Sequence, residues 1–304
     1  MKNADNSPIY SVIDVGTNNI LLLIATSGAK LEIIYQASAT SALGKEMKDD
    51  FLQPQAISRA KNILTDYINY SRKFTNQIII IGTSCSREAK NISELSEWLM
   101  DEYKINYQII SGEQEAHLNG LANLTEFSQN QNLLLFDVGG GSTEFTLIQA
   151  GKIQQTITTP IGIRRYINRF DSEFAMIKQQ LLTDLTGSQL QLPEQITLVG
   201  IGGTACSLAA MKHRLETYQS EVVHRSFISS ADIVGLQLDL QGKTASELVE
   251  KMPFDVKRAE IILIGLHIVK EIVAFFQGGG FFVSDRGLQF GVLRQNENEL
   301  AKML

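Results

Sequence analysis

Two stretches of the sequence place an aspartate before a glycine turn, an arrangement that suits phosphate binding. In the longer one the apolar run 133–136 leads into Asp137, and after one valine come Gly139, Gly140, Gly141, Ser142 and Thr143. Glycines leave backbone N–H groups accessible, because no Cβ stands beside them, and such a turn can wrap an anion. We therefore predict a buried strand that ends at a phosphate-binding turn formed by these five residues.

The beginning of the chain repeats this plan. An apolar run there ends at Asp14, 123 positions before Asp137, and the turn after it holds Gly16, Thr17 and Asn18. Two ordinary hairpin turns would also favour aspartate and glycine. Because each aspartate closes an apolar run at the same point of the strand pattern, we interpret the two copies as a duplicated phosphate-binding fold.

Three acidic side chains in these stretches are candidates for metal binding. Asp14, Asp137 and Glu144 offer oxygen ligands, and Mg²⁺ is usually held by one or two carboxylates together with waters. For Glu144 an ion pair with a surface lysine is the alternative. The net charge of −6 provides no global basic field that would attract nucleic acid or an anionic membrane. A polyanionic substrate would therefore depend on metal ions, backbone N–H groups and local Arg or Lys.

A third glycine turn lies at 200–204. It contains Gly202, Gly203 and Thr204 and leads into a predicted helix, whose N-terminus can hold a phosphate or a nucleotide. Close packing of helix on strand would explain these glycines nearly as well. The glycine spacing does not fit a dinucleotide fingerprint. The sequence has no Gly-x-x-x-x-Gly-Lys-Ser/Thr motif, which excludes a P-loop NTPase.

Glutamates and arginines outside the glycine turns are candidates for catalysis and for clamping a phosphate. Glu113 and Glu115 stand in the first turn of a predicted helix, where the macrodipole favours carboxylates, so a structural role is an alternative to catalysis. Arg87 follows a short strand and a turn of small residues. It could clamp a phosphate or be a solvated charge. Arg164 and Arg165 leave the same two alternatives open.

The elements that must position these residues alternate between strands and helices. Three strand signals in a row open each half of the chain, and helices and strands alternate after them. This order predicts the α/β class, with mixed sheets covered by helices. A length of 304 residues favours two domains. Towards the C-terminus we predict helices over 255–276 and 285–303.

Composition and the N-terminal sequence bear on location and partners. The chain is 44% apolar and 20% charged, as is typical of a globular protein, and its two cysteines form no disulfide or zinc pattern. The polar N-terminus lacks the apolar core of a signal peptide. The longest apolar helix candidate, 261–276, is too short and too charged to span a bilayer. We expect a cytoplasmic protein that binds neither nucleic acid nor a membrane.

Together these motifs resemble the exopolyphosphatase / guanosine pentaphosphate phosphohydrolase (Ppx/GppA) family, within the superfamily of actin, heat-shock chaperone ATPases and sugar kinases. The resemblance covers nearly the whole chain and includes 14–18, 82–89, 110–116, 137–144, Gly162 with Arg165, 202–204 and 284–288. It implies two similar ribonuclease H-like (actin-like ATPase) α/β domains with an interdomain cleft. We expect them at 1–127, joined by the C-terminal helix at about 287–304, and at 128–286.

The sequence departs from the family at a few positions. The family usually has two adjacent glutamates before an alanine, whereas here the first is Gln114 and Glu115 takes the catalytic place. Thr17 and Asn19 stand where serines are usual, so a hydroxyl and a polar group are kept. Residues 289–291 are Gln-Phe-Gly where Arg-Glu-Gly is common. This last change could weaken a C-terminal contact but does not touch the phosphate-binding turns.

The resemblance implies a hydrolase of phosphoanhydride bonds. Glu115 would orient or deprotonate the attacking water, Arg87 would steady the phosphoryl oxygens, and the metal would be Mg²⁺, with a monovalent cation as an addition. The implied substrates are inorganic polyphosphate and guanosine pentaphosphate. We favour release of the terminal phosphate of polyphosphate, because nothing in the sequence marks a guanine pocket.

Several alternatives stay open at this point. The first turn also opens many sugar kinases, so a sugar-kinase-like phosphotransferase is one of them. A non-catalytic sensor of polyphosphate or of a nucleotide is another. The chain resembles the short form of the family, which lacks the helical C-terminal domains of longer members. A homodimer is compatible with the sequence, although no heptad seam argues for one.

Overall fold

The computed structural model describes residues 7–28, 31–127, 131–171 and 173–304. The chain divides into two compact units, Met1–Ala122 with Leu288–Leu304, and Asn123–Gly287. The predicted domain limits, at 127/128 and 286/287, stay a prediction, because contacts group residues without showing that each group folds alone.

The first unit is built on a mixed sheet of five strands. From one edge to the other these are β3 (Ile33–Thr40), β2 (Asn19–Thr26), β1 (Ile9–Val15), β4 (Ile78–Gly82) and β5 (Tyr107–Ile109). β1, β2 and β3 are antiparallel neighbours, whereas β1, β4 and β5 run parallel. The carboxyl ends of β1, β4 and β5 therefore meet at one edge of the sheet.

Alternate residues of β1 belong to two cores on the opposite faces of this sheet, as the period of a strand requires. Ile13 and Val15 lie in one core, while Tyr10 and Val12 lie in the other. The helices of the unit are α1 (Pro54–Ser71), α2 (Ser84–Glu88), α3 (Ser93–Tyr103), α4 (Gly112–Asn123), α12 (Leu288–Leu293) and α13 (Glu297–Lys302). Apolar residues of α1 and α3 pack into the first core, and those of α4, α12 and α13 into the second.

The second unit repeats the sheet with one more strand. The order is β10 (Phe227–Ser229), β11 (Gly280–Ser284), β9 (Thr197–Ile201), β6 (Leu133–Val138), β7 (Thr143–Gln149) and β8 (Lys152–Thr159). β6, β9 and β11 run parallel, and β6, β7 and β8 are antiparallel neighbours. The sequence analysis did not predict β10, a three-residue edge strand.

Helices pack against the second sheet around one large core. They are α5 (Ile163–Phe170), α6 (Phe174–Gly187), α7 (Gly202–Lys212), α8 (Ser220–Val223), α9 (Ser230–Leu240), α10 (Ala245–Lys251) and α11 (Ile262–Phe275). The core includes Phe136, Phe145 and Phe281, each at most 1% exposed. Capping boxes at Ser229 and Thr244 start α9 and α10, because each hydroxyl accepts a hydrogen bond from a first-turn amide that would otherwise lack a partner.

The predicted α/β class, with two mixed sheets covered by helices, is confirmed. Two predicted helices are wrong. The helix over 255–276 is in fact a 3₁₀ turn at Val256–Arg258 followed by α11, because Asp255 caps that turn by accepting from the Arg258 amide. The helix over 285–303 is α12 followed by α13, because Asn296 caps a new helix through the Glu299 amide. Among the helices of the described residues, none has the length and apolarity needed to cross a membrane.

Candidate active site

The predicted site residues of the first unit gather at the carboxyl edge of its sheet. The turn 16–18 follows β1, Arg87 lies beyond the end of β4, and Glu115 follows β5. Ligands of open α/β sheets bind outside the carboxyl ends of parallel strands. The topology therefore brings these residues to the edge where such a fold binds its ligand.

The first glycine turn is a tight hairpin held from outside. The Gly16 amide donates to the Asn19 carbonyl at 3.0 Å. The carbonyls of Thr17 and Asn18 accept from the amides of Gly44, at 2.9 Å, and Ala42, at 2.8 Å. A Cβ at Gly44 would lie 2.4 Å from Thr17 Cγ2, so a larger residue at position 44 would have to displace the Thr17 side chain. The carbonyls of the turn are thus directed towards protein donors.

The second glycine turn has the same hairpin bond and a helix as its support. The Gly139 amide donates to the Ser142 carbonyl at 2.9 Å. The carbonyl of Gly140 accepts from the first amides of α5, those of Arg164 at 2.7 Å and Arg165 at 3.1 Å. Within the described residues no acceptor lies in hydrogen-bond range of the Gly140 amide. An N–H group in that state suits an anion.

Side chains around the second turn are mostly engaged with the protein. The hydroxyl of Ser142 donates to Glu144 Oε1 at 2.6 Å, and that of Thr143 to the Ile161 carbonyl at 2.7 Å. Arg165 Nε donates to the Gly141 carbonyl at 2.7 Å. Anion binding at this turn would therefore rely on backbone N–H groups more than on hydroxyl protons. Arg165, which sequence reasoning left ambiguous, supports the turn.

The third glycine turn lies against the second. Thr204 Oγ1 donates to the Val138 carbonyl at 2.9 Å. Gly202 has φ +75°, and a Cβ there would meet Asp137 Oδ1 at 2.3 Å, so only glycine fits this position. The structure thus brings Gly202, Gly203 and Thr204 together with Asp137. The same three residues begin α7.

Arg258 is a cation at this third turn that the sequence analysis missed. Its guanidinium lies on Gly203, where a Cβ would be 2.2 Å from Nη2. Arg258 Nε donates to Asp255 Oδ2 at 2.9 Å, and the Arg258 side chain is 11% exposed. The Asp-x-x-Arg spacing signals a capped turn, but nothing in it indicates a return to a glycine more than fifty positions earlier.

Glu115 and Arg87 form an ion pair in the first unit. Arg87 Nη1 is 2.8 Å from Glu115 Oε2, with side chains 22% and 12% exposed, and it also donates to the Ile110 carbonyl at 2.9 Å. Arg87 is therefore not merely a solvated charge. The first turn of α4 is fixed by a capping box between Ser111 and Gln114, with bonds of 2.8 and 3.1 Å. Gln114, which departs from the family pattern, thus holds the turn that presents Glu115.

The predicted metal ligands differ in their surroundings. Asp137 and Glu144 lie opposite each other on β6 and β7, so their side chains project from the same face of the sheet. Glu144 is buried, and its Oε1 accepts from the hydroxyls of Ser142, at 2.6 Å, and Thr158, at 3.1 Å. In the first unit Asp14 lies opposite Leu21 on β2.

This donor set fits a hard cation that is completed by other oxygens. Among the described residues no group of three or more His, Cys, Asp or Glu side chains could hold a metal ion. Mg²⁺ usually takes one or two carboxylates and fills its shell with waters and substrate phosphate oxygens. The facing carboxylates of Asp137 and Glu144 match that habit.

A second charged cluster, which the sequence analysis also missed, surrounds His224 in the second unit. His224 Nε2 is 3.2 Å from Glu126 Oε2, and Nδ1 is 3.2 Å from Asp285 Oδ1. Arg225 Nη2 lies 3.1 Å from Glu126 Oε2, and Arg286 Nε 3.4 Å from Asp285 Oδ1. Burial opposes protonation of His224, but its hydrogen bonds with Asp285 and Glu126 outweigh burial, so its pKa is raised. The bond with His224 lowers the pKa of Glu126.

Comparison with known proteins gives one family. A model described as the Ppx/GppA phosphatase family matches residues 23–300. A Fusobacterium nucleatum protein named bifunctional 3-dehydroquinate synthase/phosphatase is 30% identical over 322 positions, which cover 98% of this chain and 46% of that protein. Exopolyphosphatase 2 of Mycobacterium tuberculosis is 26% identical over 286 positions, covering 86% of this chain and 89% of the relative. The chain thus spans less than half of the first relative and most of the second.

One solved structure is similar to this chain in both sequence and fold. The crystal structure of the Ppx/GppA family member of Aquifex aeolicus superposes with a TM-score of 0.76 at 27% identity. The superposition covers 94% of this chain and 97% of the other.

Proposed function

Because the chain belongs to the Ppx/GppA phosphatase family, we propose that it releases the terminal phosphate of inorganic polyphosphate, with Glu115 activating the water. The observation that carries the proposal is the Arg87–Glu115 pair, 2.8 Å apart at the carboxyl edge of the first sheet. The mycobacterial relative, of which this chain spans 89%, is named an exopolyphosphatase, and this favours polyphosphate over guanosine pentaphosphate.

Glu115 suits the role of general base by its position. It stands in the first turn of α4, partly exposed, and its orientation is fixed by Arg87 and by the capping box of Ser111. From there its carboxylate would orient a water and take a proton from it as the water attacks phosphorus. The guanidinium of Arg87 would steady the phosphoryl oxygens. Phosphoryl transfer needs mainly this kind of positioning and charge stabilisation.

The glycine turns would hold the phosphate groups. Backbone N–H groups at Gly140 and Gly141 are the donors of the second turn, and the first turn would contribute through Gly16, Thr17 and Asn18. Asp137 and Glu144, which face each other in the second unit, would hold Mg²⁺, and Asp14 stays a candidate ligand in the first unit. When bound, Mg²⁺ supplies positive charge that polarises the phosphoryl group. A monovalent cation would add to this charge neutralisation.

The substrate is tested by phosphate release from polyphosphates of graded length and from guanosine pentaphosphate, side by side, with Mg²⁺ or with a chelator. We expect release from polyphosphate that stops when the metal is removed. Release from guanosine pentaphosphate alone would overturn the choice of substrate. A phosphorylated sugar formed from ATP, without phosphate from polyphosphate, would favour a kinase. Tight binding of polyphosphate without turnover would indicate a sensor.

The catalytic assignment is tested by Glu115→Gln. We expect kcat to fall by about 10²–10⁴, the usual contribution of a general base. Glu113→Gln is the matched control, because Glu113 lies in the same helical turn but is exposed. Its kcat should stay at the wild-type value. A Glu115→Gln enzyme with full turnover would exclude the role of base.

A further inference from the structure

A buried hydrogen bond joins helix α2 to strand β5 in the first unit. Ser86 Oγ and Tyr107 OH are 2.6 Å apart, and the two residues are 1% and 7% exposed. A Cβ at Gly82 would come within 2.4 Å of the phenol oxygen. The glycine that ends β4 thus makes room for the phenol, which runs beneath the carboxyl edge of the sheet.

Helix α2 needs such an anchor. It has five residues, and its N-cap residue, Thr83, makes no side-chain capping bond. Isolated helices of this length are unstable in water, so packing and side-chain bonds must fix their position. Ser86 directly precedes Arg87. The guanidinium of Arg87 also donates to the Ile110 carbonyl, so β5 and the residue after it provide two of the attachments of this short helix.

The phenol of Tyr107 holds α2 without giving up its proton. Burial raises the pKa of Tyr107 far above its usual value; the Ser86 hydrogen bond opposes this rise, and Cys85 and Asp14 add to it. At neutral pH the hydroxyl therefore stays protonated and serves as a fixed hydrogen-bonding group.

From this geometry we infer that Tyr107 and Ser86 are a positioning pair, which fixes Arg87 and, through Arg87, the carboxylate of Glu115. The inference rests on the function proposed above, in which those two side chains act on the phosphoryl group and the water. Without the hydrogen bond between Tyr107 and Ser86, the side chains of Arg87 and Glu115 are still present, but the helix that carries Arg87 can move. Small misplacements of this kind are costly for reactions that depend on orientation.

The test compares two tyrosines of the same unit. Tyr107→Phe removes the hydroxyl that binds Ser86. Tyr103→Phe removes a hydroxyl that donates to Thr65 Oγ1 at 3.0 Å and joins α3 to α1, away from Arg87. We expect Tyr107→Phe to lower kcat for phosphate release about tenfold, with KM changed by less than about twofold. Tyr103→Phe should leave both constants unchanged.

Two further measurements separate positioning from a general loss of stability. Ser86→Ala should lower kcat as much as Tyr107→Phe, and the double variant should be no worse than either single one, because both remove the same bond. Amide hydrogen exchange of residues 84–88 should be about tenfold faster in Tyr107→Phe, since exchange reports local opening. It should be unchanged in Tyr103→Phe.

If these measurements disagree with the expectations, the Arg87→Ala variant shows whether the positioning role or the proposed function is wrong. In that background Tyr107→Phe should have no further effect on kcat, since it acts only through Arg87. If Arg87→Ala lowers kcat but Tyr107→Phe lowers neither kcat nor protection of α2, the positioning role is overturned and the proposed function stands. If both Arg87→Ala and Glu115→Gln keep full turnover, the catalytic roles proposed for Arg87 and Glu115 fail, and the positioning role falls with them.

Discussion

The two sheets carry the same turn at their carboxyl edges and different side chains around it. The bond from the Gly16 amide to the Asn19 carbonyl, 3.0 Å, is matched by the bond from the Gly139 amide to the Ser142 carbonyl, 2.9 Å. A threonine beyond the neighbouring parallel strand donates to the valine carbonyl before each turn, Thr83 at 3.4 Å and Thr204 at 2.9 Å. The backbone plan is thus duplicated down to single hydrogen bonds.

The side chains opposite the two aspartates differ. Leu21 lies opposite Asp14, whereas Glu144 lies opposite Asp137. The first edge has the Arg87–Glu115 pair instead, at 2.8 Å. Two copies of one glycine turn can therefore serve different tasks. Under the proposed function, the first edge activates water and the second presents facing carboxylates to Mg²⁺.

The largest expected effect comes from a substitution that disturbs the support of the second glycine turn. A Cβ at Gly162 would lie 2.3 Å from the Gly141 carbonyl carbon, which is backbone and cannot move aside alone. At Gly44 the clash is with the side-chain atom Thr17 Cγ2, at 2.4 Å. We expect Gly162→Ala to lower the free energy of unfolding by about 3 kcal/mol, and Gly44→Ala by about 1 kcal/mol. Urea unfolding followed by circular dichroism measures both.

A second substitution makes this comparison sharper. Thr17→Ser removes the Cγ2 atom and should restore most of the stability lost in Gly44→Ala. No side-chain change is available to relieve Gly162→Ala, because its obstacle is backbone. Equal losses for the two alanine variants, or a Gly44→Ala enzyme that Thr17→Ser does not improve, would contradict the assigned contacts. Trp98, the single tryptophan, lies in the first unit and reports Gly44→Ala by fluorescence.

Local sequence signals were sufficient for the fold class and for both glycine turns. The apolar runs before Asp14 and Asp137 are central strands, and the glycines that follow soon after each aspartate favour a turn. The same local signals could not place the helix limits near the C-terminus. Asp255 and Asn296 are of residue types that often begin helices. In the sequence alone, however, a polar residue of this kind can equally well lie on the exposed face of a longer helix.

Contacts between distant segments could not be predicted from one sequence. Arg258 reaches Gly203, and Tyr107 reaches Ser86 across 21 positions, because the sheet brings separate strand ends together. No spacing rule encodes such pairs. The family resemblance gave Arg87 and Glu115 separate catalytic roles, but their ion pair at 2.8 Å was not predicted.

The next prediction concerns Glu144, which lies opposite Asp137 as Leu21 lies opposite Asp14. Glu144→Gln keeps an acceptor for the hydroxyls of Ser142 and Thr158 but removes the charge. If Glu144 helps to hold Mg²⁺, the Mg²⁺ concentration needed for half-maximal phosphate release should rise about 10- to 100-fold. Thr158→Val is the control, because it removes one hydroxyl bond and keeps the carboxylate. An unchanged magnesium requirement in Glu144→Gln would leave only Asp14 and Asp137 as candidate ligands.

The smallest effect tests the pH dependence of the charged cluster around His224. His224 has a raised pKa, so its contribution to stability is complete below about pH 6.5, the ordinary histidine value, and is lost as the pH rises through the raised value. The lowered pKa of Glu126 acts in the opposite direction: its contribution is lost as the pH falls below the ordinary glutamate range.

His224→Gln should therefore cost about 1 kcal/mol of unfolding free energy at pH 6 and less at pH 8. The advantage of the wild-type protein over the variant should therefore shrink from pH 6 to pH 8. Denaturant unfolding at both pH values measures the difference. The cluster also ties the segment that enters the second unit to the one that leaves it, since Asn123 Nδ2 donates to the Arg286 carbonyl at 2.8 Å. A cost in His224→Gln that is equal at pH 6 and pH 8 would mean that packing, and not the charge on the imidazole, holds this cluster together.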